Sequence, residues 1–214
     1  MMRNGFFAMV SRMRYIYRWA LMRNTRTENI EEHSLQVAIV AHAIAVIRKE
    51  IFPNDQVGSP RIAIDPNLVA TLAIYHDTNE ILTGDMPTPV KYFNPLIAKA
   101  YKDVEKEANK KLLQMLPDEL IPTYQNILAP DREDPMIFQA MKIVKSADRI
   151  SALIKCIEEG KAGNTEFVPA AKAIRKAIDN NNLPEVAYFM DNFIPAFSKT
   201  LDDLENVDFT SKIF

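Results

Sequence analysis

Glycine is scarce in this chain, with 5 of 214 residues, and alternation of β-branched with polar residues is rare. Both shortages argue against sheets, which need tight glycine turns and a two-residue period. Apolar residues recur instead at the three- and four-residue spacing of amphipathic helices along nearly the whole chain. The sequence therefore predicts an all-α protein.

Cysteine is nearly absent, since Cys156 is the only one in the chain. A lone cysteine excludes an intrachain disulfide and fits a reducing compartment. Its apolar helical surroundings favour a small core residue over a nucleophile. The N-terminal region has no apolar run followed by a cleavage site, and no stretch approaches the ~20 apolar residues of a spanning helix. We therefore expect a cytoplasmic protein without a membrane partner.

Charge of one sign is also missing, because 26 Lys and Arg balance 28 Asp and Glu to give a net charge of -2. No overall field favours nucleic acid or anionic lipid, so neither is expected as a partner. The one basic concentration lies at 12–26, where five arginines alternate with Tyr15, Tyr17 and Trp19. It has two interpretations, a solvated helix face or a pocket for phosphate, whose geometry the arginine fork matches.

No break in composition divides the chain, so we predict a single domain over 1–214. Two stretches rich in proline and glycine, 52–66 and 83–89, are predicted loops. Asp65-Pro66 and Asp134-Pro135 are typical of an N-cap followed by a first helical residue. The predicted helices are 6–17, 31–51, 66–82, 95–116, 135–160, 165–178 and 184–205, with a short helix or turn within 117–130.

The chemistry is concentrated around His76-Asp77, a polar pair that follows the apolar run 72–75. Imidazole and carboxylate are common ligands of divalent metals, and neither is favourable to bury unless it is paired or coordinated. Of the other two histidines, His33 and His42 lie nine residues apart on one predicted helix, so they point in roughly opposite directions. The candidate ligand set is His33, His76, Asp77 and a distant acid.

Asp148 is the best distant acid, because it interrupts an apolar helix face. Each residue also has a simpler interpretation: a helical histidine is often only hydrogen-bonded, and Asp148 could form a salt bridge with Lys145 or Arg149. Glu80 lies four residues after His76 and three after Asp77, on the same face of the predicted helix. There it could relay a proton, or it could be an ordinary exposed acid or cap.

The order His33, His76-Asp77, Asp148 on predicted helices resembles the signature of the HD-domain phosphohydrolases. Longer motifs are similar to the bacterial 5′-deoxynucleotidases of the YfbR type, and they cover nearly the whole chain. They are RWxLMRN at 18–24, RTEN at 26–29, EHSLQVA at 32–38, YHDxxE at 75–80, LTGDxPTPVKYFN at 82–94, KC at 155–156 and AGNxEF at 162–167.

This resemblance implies an HD-domain helical bundle of roughly seven to nine helices. It implies hydrolysis of deoxyribonucleoside 5′-monophosphates, one divalent metal ion (cobalt, manganese or copper) and a homodimer. The implied ligands are His33, His76, Asp77 and Asp148. Glu80 would be the acid-base residue, Arg18 would orient the phosphate, and Trp19 would exclude a ribose 2′-hydroxyl. The implied nucleotide contacts are Arg18, Trp19, His33, Asp77, Asp85, Met86, Pro87, Thr88 and Asp148.

Two other functions stay open at this point. One is a different HD phosphohydrolase, either a nucleoside triphosphohydrolase or a cyclic-nucleotide phosphodiesterase. The first would need more basic residues and the second more histidine ligands than this chain offers. The other is a non-catalytic HD protein that binds nucleotide, against which the intact ligand set argues.

Overall fold

The computed structural model describes residues 4–54, 57–91 and 93–205. Its secondary structure is helical, and the described residues form only two isolated β-bridges and no strand. The prediction of an all-α protein is therefore confirmed. The α-helices are α1 Phe6–Val10, α2 Ile30–Glu50, α3 Pro66–Ile74, α4 Glu80–Thr83, α5 Thr88–Lys91, α6 Pro95–Leu113, α7 Ile121–Leu128, α8 Pro135–Lys161, α9 Val168–Asp179, α10 Pro184–Asn192 and α11 Leu201–Glu205.

These eleven helices within the described residues exceed the predicted seven to nine because α1, α4, α5 and α11 have only four or five residues each. Two predicted helices are also interrupted. The first gives way to a 3-10 helix at Ser11–Tyr15, and the last to one at Ile194–Ser198. Pro195 at the start of this second 3-10 helix has no amide hydrogen, so it favours the break.

The main core is formed by α2, α3 and α8, which pack against one another, with α9 and α10 on the outside. Local sequence fixes where each of the three begins. Asn29 and Glu32 form a capping box at the start of α2, and Asp65 and Asp134 cap α3 and α8 ahead of their prolines. Such caps satisfy amide hydrogens that the first helical turn leaves free. The starts of these helices fall within two residues of the predictions.

The end of α3 differs from its prediction. We expected one helix through His76, Asp77 and Glu80, but α3 ends at Ile74 and residues 75–79 form a turn before α4. In this turn His76 Nδ1 donates a hydrogen bond to the Ala73 carbonyl oxygen at 2.7 Å. A side chain that bonds a nearby carbonyl competes with the helical ladder. No glycine or proline marks this break, so helical periodicity alone could not find it.

Helix α2 is long and apolar enough to cross a membrane by length and composition, which corrects the expectation that no stretch is. More than half of its apolar window is buried inside the protein. Its fully buried residues include Val37, Ala41 and Ile44, which belong to the main core. Core helices commonly pass such a test, so the burial explains the apolar composition of α2.

Candidate metal and phosphate site

Three core helices bring the predicted ligands together. His33 lies in the first turns of α2, His76 and Asp77 lie in the turn after α3, and Asp148 lies in the middle of α8. Ligand atoms of His33, His76 and Asp77 lie within 4.8 Å of one another. Asp77 Oδ2 is 3.1 Å from His76 Nε2 and 3.6 Å from His33 Nε2. Asp148 joins them from 115 positions beyond His33, and its Oδ1 is 3.3 Å from His33 Nε2.

The hydrogen bonds of the two imidazoles leave the same ring atom free on each. His76 Nδ1 donates to a backbone carbonyl, and His33 Nδ1 lies 3.1 Å from Ser151 Oγ. Both Nε2 atoms are buried, and neither makes a hydrogen bond of good geometry. A histidine that ligates a metal through one nitrogen is usually held in this way through the other. The residues therefore fit a divalent cation, with the two Nε2 lone pairs and carboxylate oxygens as donors.

Asp148 forms the predicted salt bridge with Lys145 and also faces His33 of the candidate ligand cluster. Its Oδ2 accepts a hydrogen bond from Lys145 Nζ at 2.7 Å, while Oδ1 faces His33. Burial alone would raise the pKa of Asp148, but His33 and Lys145 hold it well below the usual range. The carboxylate is therefore ionised at neutral pH and available to a cation. His42, also on α2, is not part of this cluster.

Arg18 reaches the cluster from residues 16–29, which we call the Arg18 loop and which lead from the first 3-10 helix to α2. Its Nη1 lies 3.5 Å from Asp77 Oδ2. Burial would lower the pKa of Arg18, but the carboxylates of Asp77, Glu28, Asp148 and Asp85 raise it overall. A fixed guanidinium beside a metal site is suited to bind a phosphate.

Glu80 begins α4, whereas His76 and Asp77 lie in the turn before it, so the predicted shared helix face is wrong. The tight turn nevertheless keeps Glu80 beside the site, where its Oε2 is buried without a hydrogen-bond partner. Burial, followed by the charges of Asp77 and Asp85, raises the pKa of Glu80 to about 9. In the metal-free site a carboxyl group with such a pKa holds a proton at neutral pH and can donate it.

The predicted nucleotide loop follows directly. Asp85, Met86 and Pro87 are half-buried, and Thr88 is exposed at the start of α5. Asp85 belongs to the site electrostatically, because Arg18 and Asp77 both act on its pKa, which burial raises. The loop leaves α4 at Gly84, whose φ of +73° few other residues adopt. The Tyr101 hydroxyl lies 3.1 Å from the Gly84 carbonyl oxygen and supports this turn.

Two acidic residues of the site region were not assigned a role from the sequence. Glu28 Oε2 accepts hydrogen bonds from Arg18 Nε and from Trp19 Nε1. Glu159 is buried near the end of α8, where it pairs with Lys155 and binds the backbone of Thr25 in the Arg18 loop. Only the spacing of Lys155 and Glu159, four residues apart on a helix, could have indicated a pair. Cys156, the residue after Lys155, is buried, as expected for a core cysteine.

Comparison with known proteins gives one consistent result. A model of the YfbR-like 5′-deoxynucleotidase family matches residues 5–197. The chain is 47% identical over 204 residues to a 5′-deoxynucleotidase of Vibrio cholerae, covering 95% of this chain and 100% of the relative.

Two solved structures are similar in fold. An HD-domain phosphohydrolase from Listeria innocua has a TM-score of 0.73 at 22% identity and covers 90% of this chain and 88% of its own. An HD phosphohydrolase of cyanophage S-2L, bound to dA and one catalytic Zn²⁺ ion, has a TM-score of 0.58 at 17% identity and covers 90% of this chain and 96% of its own. At these identities the two structures bear on the fold, and both have the HD-domain architecture expected from the motifs.

Proposed function

Because the chain belongs to the YfbR-like 5′-deoxynucleotidase family, we propose that it hydrolyses deoxyribonucleoside 5′-monophosphates to deoxynucleoside and phosphate, using one divalent metal ion. It is then a phosphoric monoester hydrolase. The observation that carries this proposal is the pair of buried, unpartnered Nε2 atoms on His33 and His76, which face Asp77 beside the Arg18 guanidinium.

The positions of the residues support the following proposed roles. His33, His76, Asp77 and Asp148 hold the cation, which when bound supplies positive charge to the phosphoryl group and acidifies water. Arg18 binds phosphate oxygens and balances the charge that develops on them. Water attacks phosphorus, the bond to the 5′-oxygen breaks, and Glu80 gives its proton to that leaving oxygen; the proton that the attacking water loses then returns to the Glu80 carboxylate. The products are the deoxynucleoside and inorganic phosphate.

The sugar and base sides of the substrate are assigned to two further groups. Trp19 is half-buried and follows Arg18 directly in the chain, which supports the proposal that its ring contacts the sugar and excludes a 2′-hydroxyl. A hydroxyl forced against an apolar ring would lose water without gaining a partner. Asp85, Met86, Pro87 and Thr88 contact the rest of the nucleotide. His33, Asp77 and Asp148 border the phosphate as well as the metal.

The alternatives are less well supported by the described residues. A phosphodiesterase with two metals would need a second ligand set, and the described part of the chain has one group of histidine and acidic residues close enough to hold an ion. A triphosphate would need further cations beside Arg18, whose neighbours are mainly carboxylates. A non-catalytic role leaves the buried carboxyl of Glu80 without a purpose.

The test is phosphate release from dAMP and AMP, measured in parallel on chelator-treated protein with cobalt, manganese, copper, zinc or magnesium added back. We expect metal-dependent turnover of dAMP and little turnover of AMP. Equal turnover of both would retain the metal site but contradict the role of Trp19. No turnover with any metal, on folded protein that binds metal, would contradict the proposed activity.

Metal binding is expected to stabilise the fold through His76. A cation at one hundred times its dissociation constant adds about 2.7 kcal/mol, which raises the Tm of a chain of this size by roughly 5–10 °C. His76→Ala should remove most of this increase, whereas His42→Ala, on α2 but outside the cluster, should retain it. Equal metal-induced increases in the two variants, measured by differential scanning fluorimetry, would contradict the ligand assignment.

Other properties are part of the same proposal. We propose that the metal is cobalt, manganese or copper, with zinc to be compared because the cyanophage protein binds it. We also propose a cytoplasmic homodimer in which 1–214 form one HD domain. Metal analysis of protein purified without added metal and light scattering after size exclusion would test the metal and the oligomeric state.

A further inference from the structure

Glu28 bridges Arg18 and Trp19, the two residues that are proposed to contact the phosphate and the sugar of the substrate. One oxygen of its carboxylate, Oε2, accepts a hydrogen bond from Arg18 Nε at 3.1 Å and another from Trp19 Nε1 at 2.8 Å. The side chains of Arg18 and Glu28 are each only 12% exposed. Hydrogen bonds to a charged group are stronger than neutral ones, and they are shielded little when they are buried.

Backbone hydrogen bonds also hold Glu28 opposite Arg18. The Arg18 amide donates to the Glu28 carbonyl oxygen at 2.9 Å, and the Ile30 amide donates to the Ile16 carbonyl oxygen at 3.0 Å. Tyr17 and Asn29 form an antiparallel bridge between these two bonds. The two ends of the Arg18 loop are thus paired like a short ribbon, and the capping box of α2 begins directly after it. Glu28 therefore sits on a rigid support.

Trp19 needs such support, because its backbone has a φ of +61°. Residues other than glycine rarely adopt this left-handed conformation, and they retain it only when the surroundings impose it. Three side chains constrain Trp19 among its other contacts: the Glu28 carboxylate on the indole nitrogen, the Phe167 ring at 5.3 Å, and the Asn24 amide that donates to the Trp19 carbonyl oxygen. Of these three, only Glu28 also binds Arg18.

We propose that Glu28 is a positioning residue that couples phosphate binding by Arg18 to sugar discrimination by Trp19. By holding Nε of Arg18, the carboxylate directs a terminal nitrogen of the guanidinium toward Asp77 and the metal cluster. By holding Nε1 of Trp19, the same oxygen fixes the angle of the indole plane. When Arg18 binds the 5′-phosphate, the sugar of the nucleotide therefore meets the Trp19 indole at a fixed distance and angle. This inference rests on the proposed function and extends it to specificity.

The test is Glu28→Gln, which keeps the shape of the side chain and removes its charge. We expect kcat/KM for dAMP to fall about 10- to 100-fold, as for the loss of a charge-assisted hydrogen bond. The ratio of kcat/KM for dAMP to that for AMP should fall at the same time, because the indole loses its fixed orientation. Glu31→Gln is the matched control: Glu31 is about half exposed and pairs with Arg14, and this variant should behave like the wild type.

Two measurements separate positioning from general stability. The metal-induced rise in Tm should be unchanged in Glu28→Gln, since Glu28 is not part of the metal cluster. The emission of Trp19, the only tryptophan in the chain, should shift in Glu28→Gln and not in Glu31→Gln. Inorganic phosphate should also change this emission in the wild type, because Arg18 and Trp19 share one acceptor.

The outcomes distinguish this inference from the function on which it rests. Failure of the wild type to hydrolyse dAMP would overturn the proposed function. An active wild type with a Glu28→Gln variant whose activity and sugar ratio lie within twofold of it would overturn the inference alone. A fall in dAMP turnover at a constant sugar ratio would overturn the coupling. If the variant does not fold, wild-type Trp19 emission that stays constant while phosphate inhibits turnover would likewise overturn it.

Discussion

Glu80→Gln is expected to lower kcat for dAMP by about 10²- to 10⁴-fold, the usual contribution of a positioned acid or base. The amide has nearly the shape of the carboxyl but cannot transfer a proton to the leaving oxygen. Metal binding should persist, because the ligand cluster consists of His33, His76 and Asp77 together with Asp148. Steady-state kinetics with saturating metal, combined with the metal-induced rise in Tm, check both halves of this prediction.

The matched control is Glu107→Gln on α6, an exposed residue that pairs with Lys110. It should retain wild-type kcat. A Glu80→Gln variant with more than one tenth of wild-type kcat would contradict the acid-base assignment. Loss of the metal-induced rise in Tm would instead indicate that Glu80 supports the cation.

The same substitution should stabilise the protein after its metal is removed. Folding raises the pKa of Glu80 from 4.5 to about 9, mainly through burial. Between these values the folded chain binds a proton that the unfolded chain has released, so this carboxyl lowers stability progressively as the pH rises. Glutamine carries no such cost. The Tm of Glu80→Gln should therefore exceed that of the wild type at pH 8, and the difference should shrink as the pH approaches 4.5.

The second large effect concerns stability and involves the buried pair of Lys155 and Glu159. Glu159 is 1% exposed and accepts hydrogen bonds from Lys155, from the Asn164 side chain, and from the amide and hydroxyl of Thr25. Lys155 Nζ also donates to the Arg26 carbonyl oxygen. Removal of one member of a buried ion pair leaves the other without compensation. We therefore expect Lys155→Met to lower the free energy of unfolding by about 3–5 kcal/mol.

This pair also holds the Arg18 loop against α8, so the loss of Lys155 should also weaken substrate binding at the site. The tip of that loop carries few apolar anchors, and its backbone is held at Thr25 and Arg26 by Glu159. Lys155→Met protein that remains folded should therefore have a raised KM for dAMP. Urea titration gives the stability, and kinetics below the midpoint of unfolding give the KM.

The control is Asp179→Asn, which breaks an exposed ion pair with Arg175 on α9. Such pairs contribute at most about 1 kcal/mol. The double variant Lys155→Met with Glu159→Leu should recover part of the stability lost in Lys155→Met, because no buried charge then remains unpaired. A single variant that is no less stable than Asp179→Asn would contradict the structural importance of the pair.

The pH dependence of this pair has the opposite sign to that of Glu80. Burial raises the pKa of Glu159, but Lys155, Thr25 and Asn164 lower it overall to far below its usual value. Above the pKa of the unfolded chain, the ionised carboxylate contributes its full stability. That contribution is lost as the pH falls below about 4.5, where the unfolded chain binds a proton first. The wild type should lose stability in acid more steeply than the double variant.

The sequence predicted the elements that depend on neighbouring residues. Asn29, Asp65 and Asp134 are good N-caps by their chemistry alone, so the starts of α2, α3 and α8 followed from local rules. The end of α3 did not, because the turn at His76 depends on a side chain that bonds a carbonyl three residues earlier. Helical spacing therefore predicted correctly that Glu80 lies near the site, but the turn at 75–79, and not a shared helix face, brings it there.

The kinds of residue in the site could be read from the sequence, whereas their convergence could not. His33, the pair His76-Asp77 and an acid in an apolar helix indicate a metal without any coordinates, and the motifs at 18–24, 75–80 and 82–94 indicate the family. Glu28 had no such signal, since its importance lies in an oxygen shared by two side chains of a folded loop. Local propensity and residue chemistry depend on a few neighbouring positions, so they can be predicted from the sequence. Contacts between His33 and Ser151, or Thr25 and Glu159, span more than a hundred residues and exist only once α2 and α8 have packed.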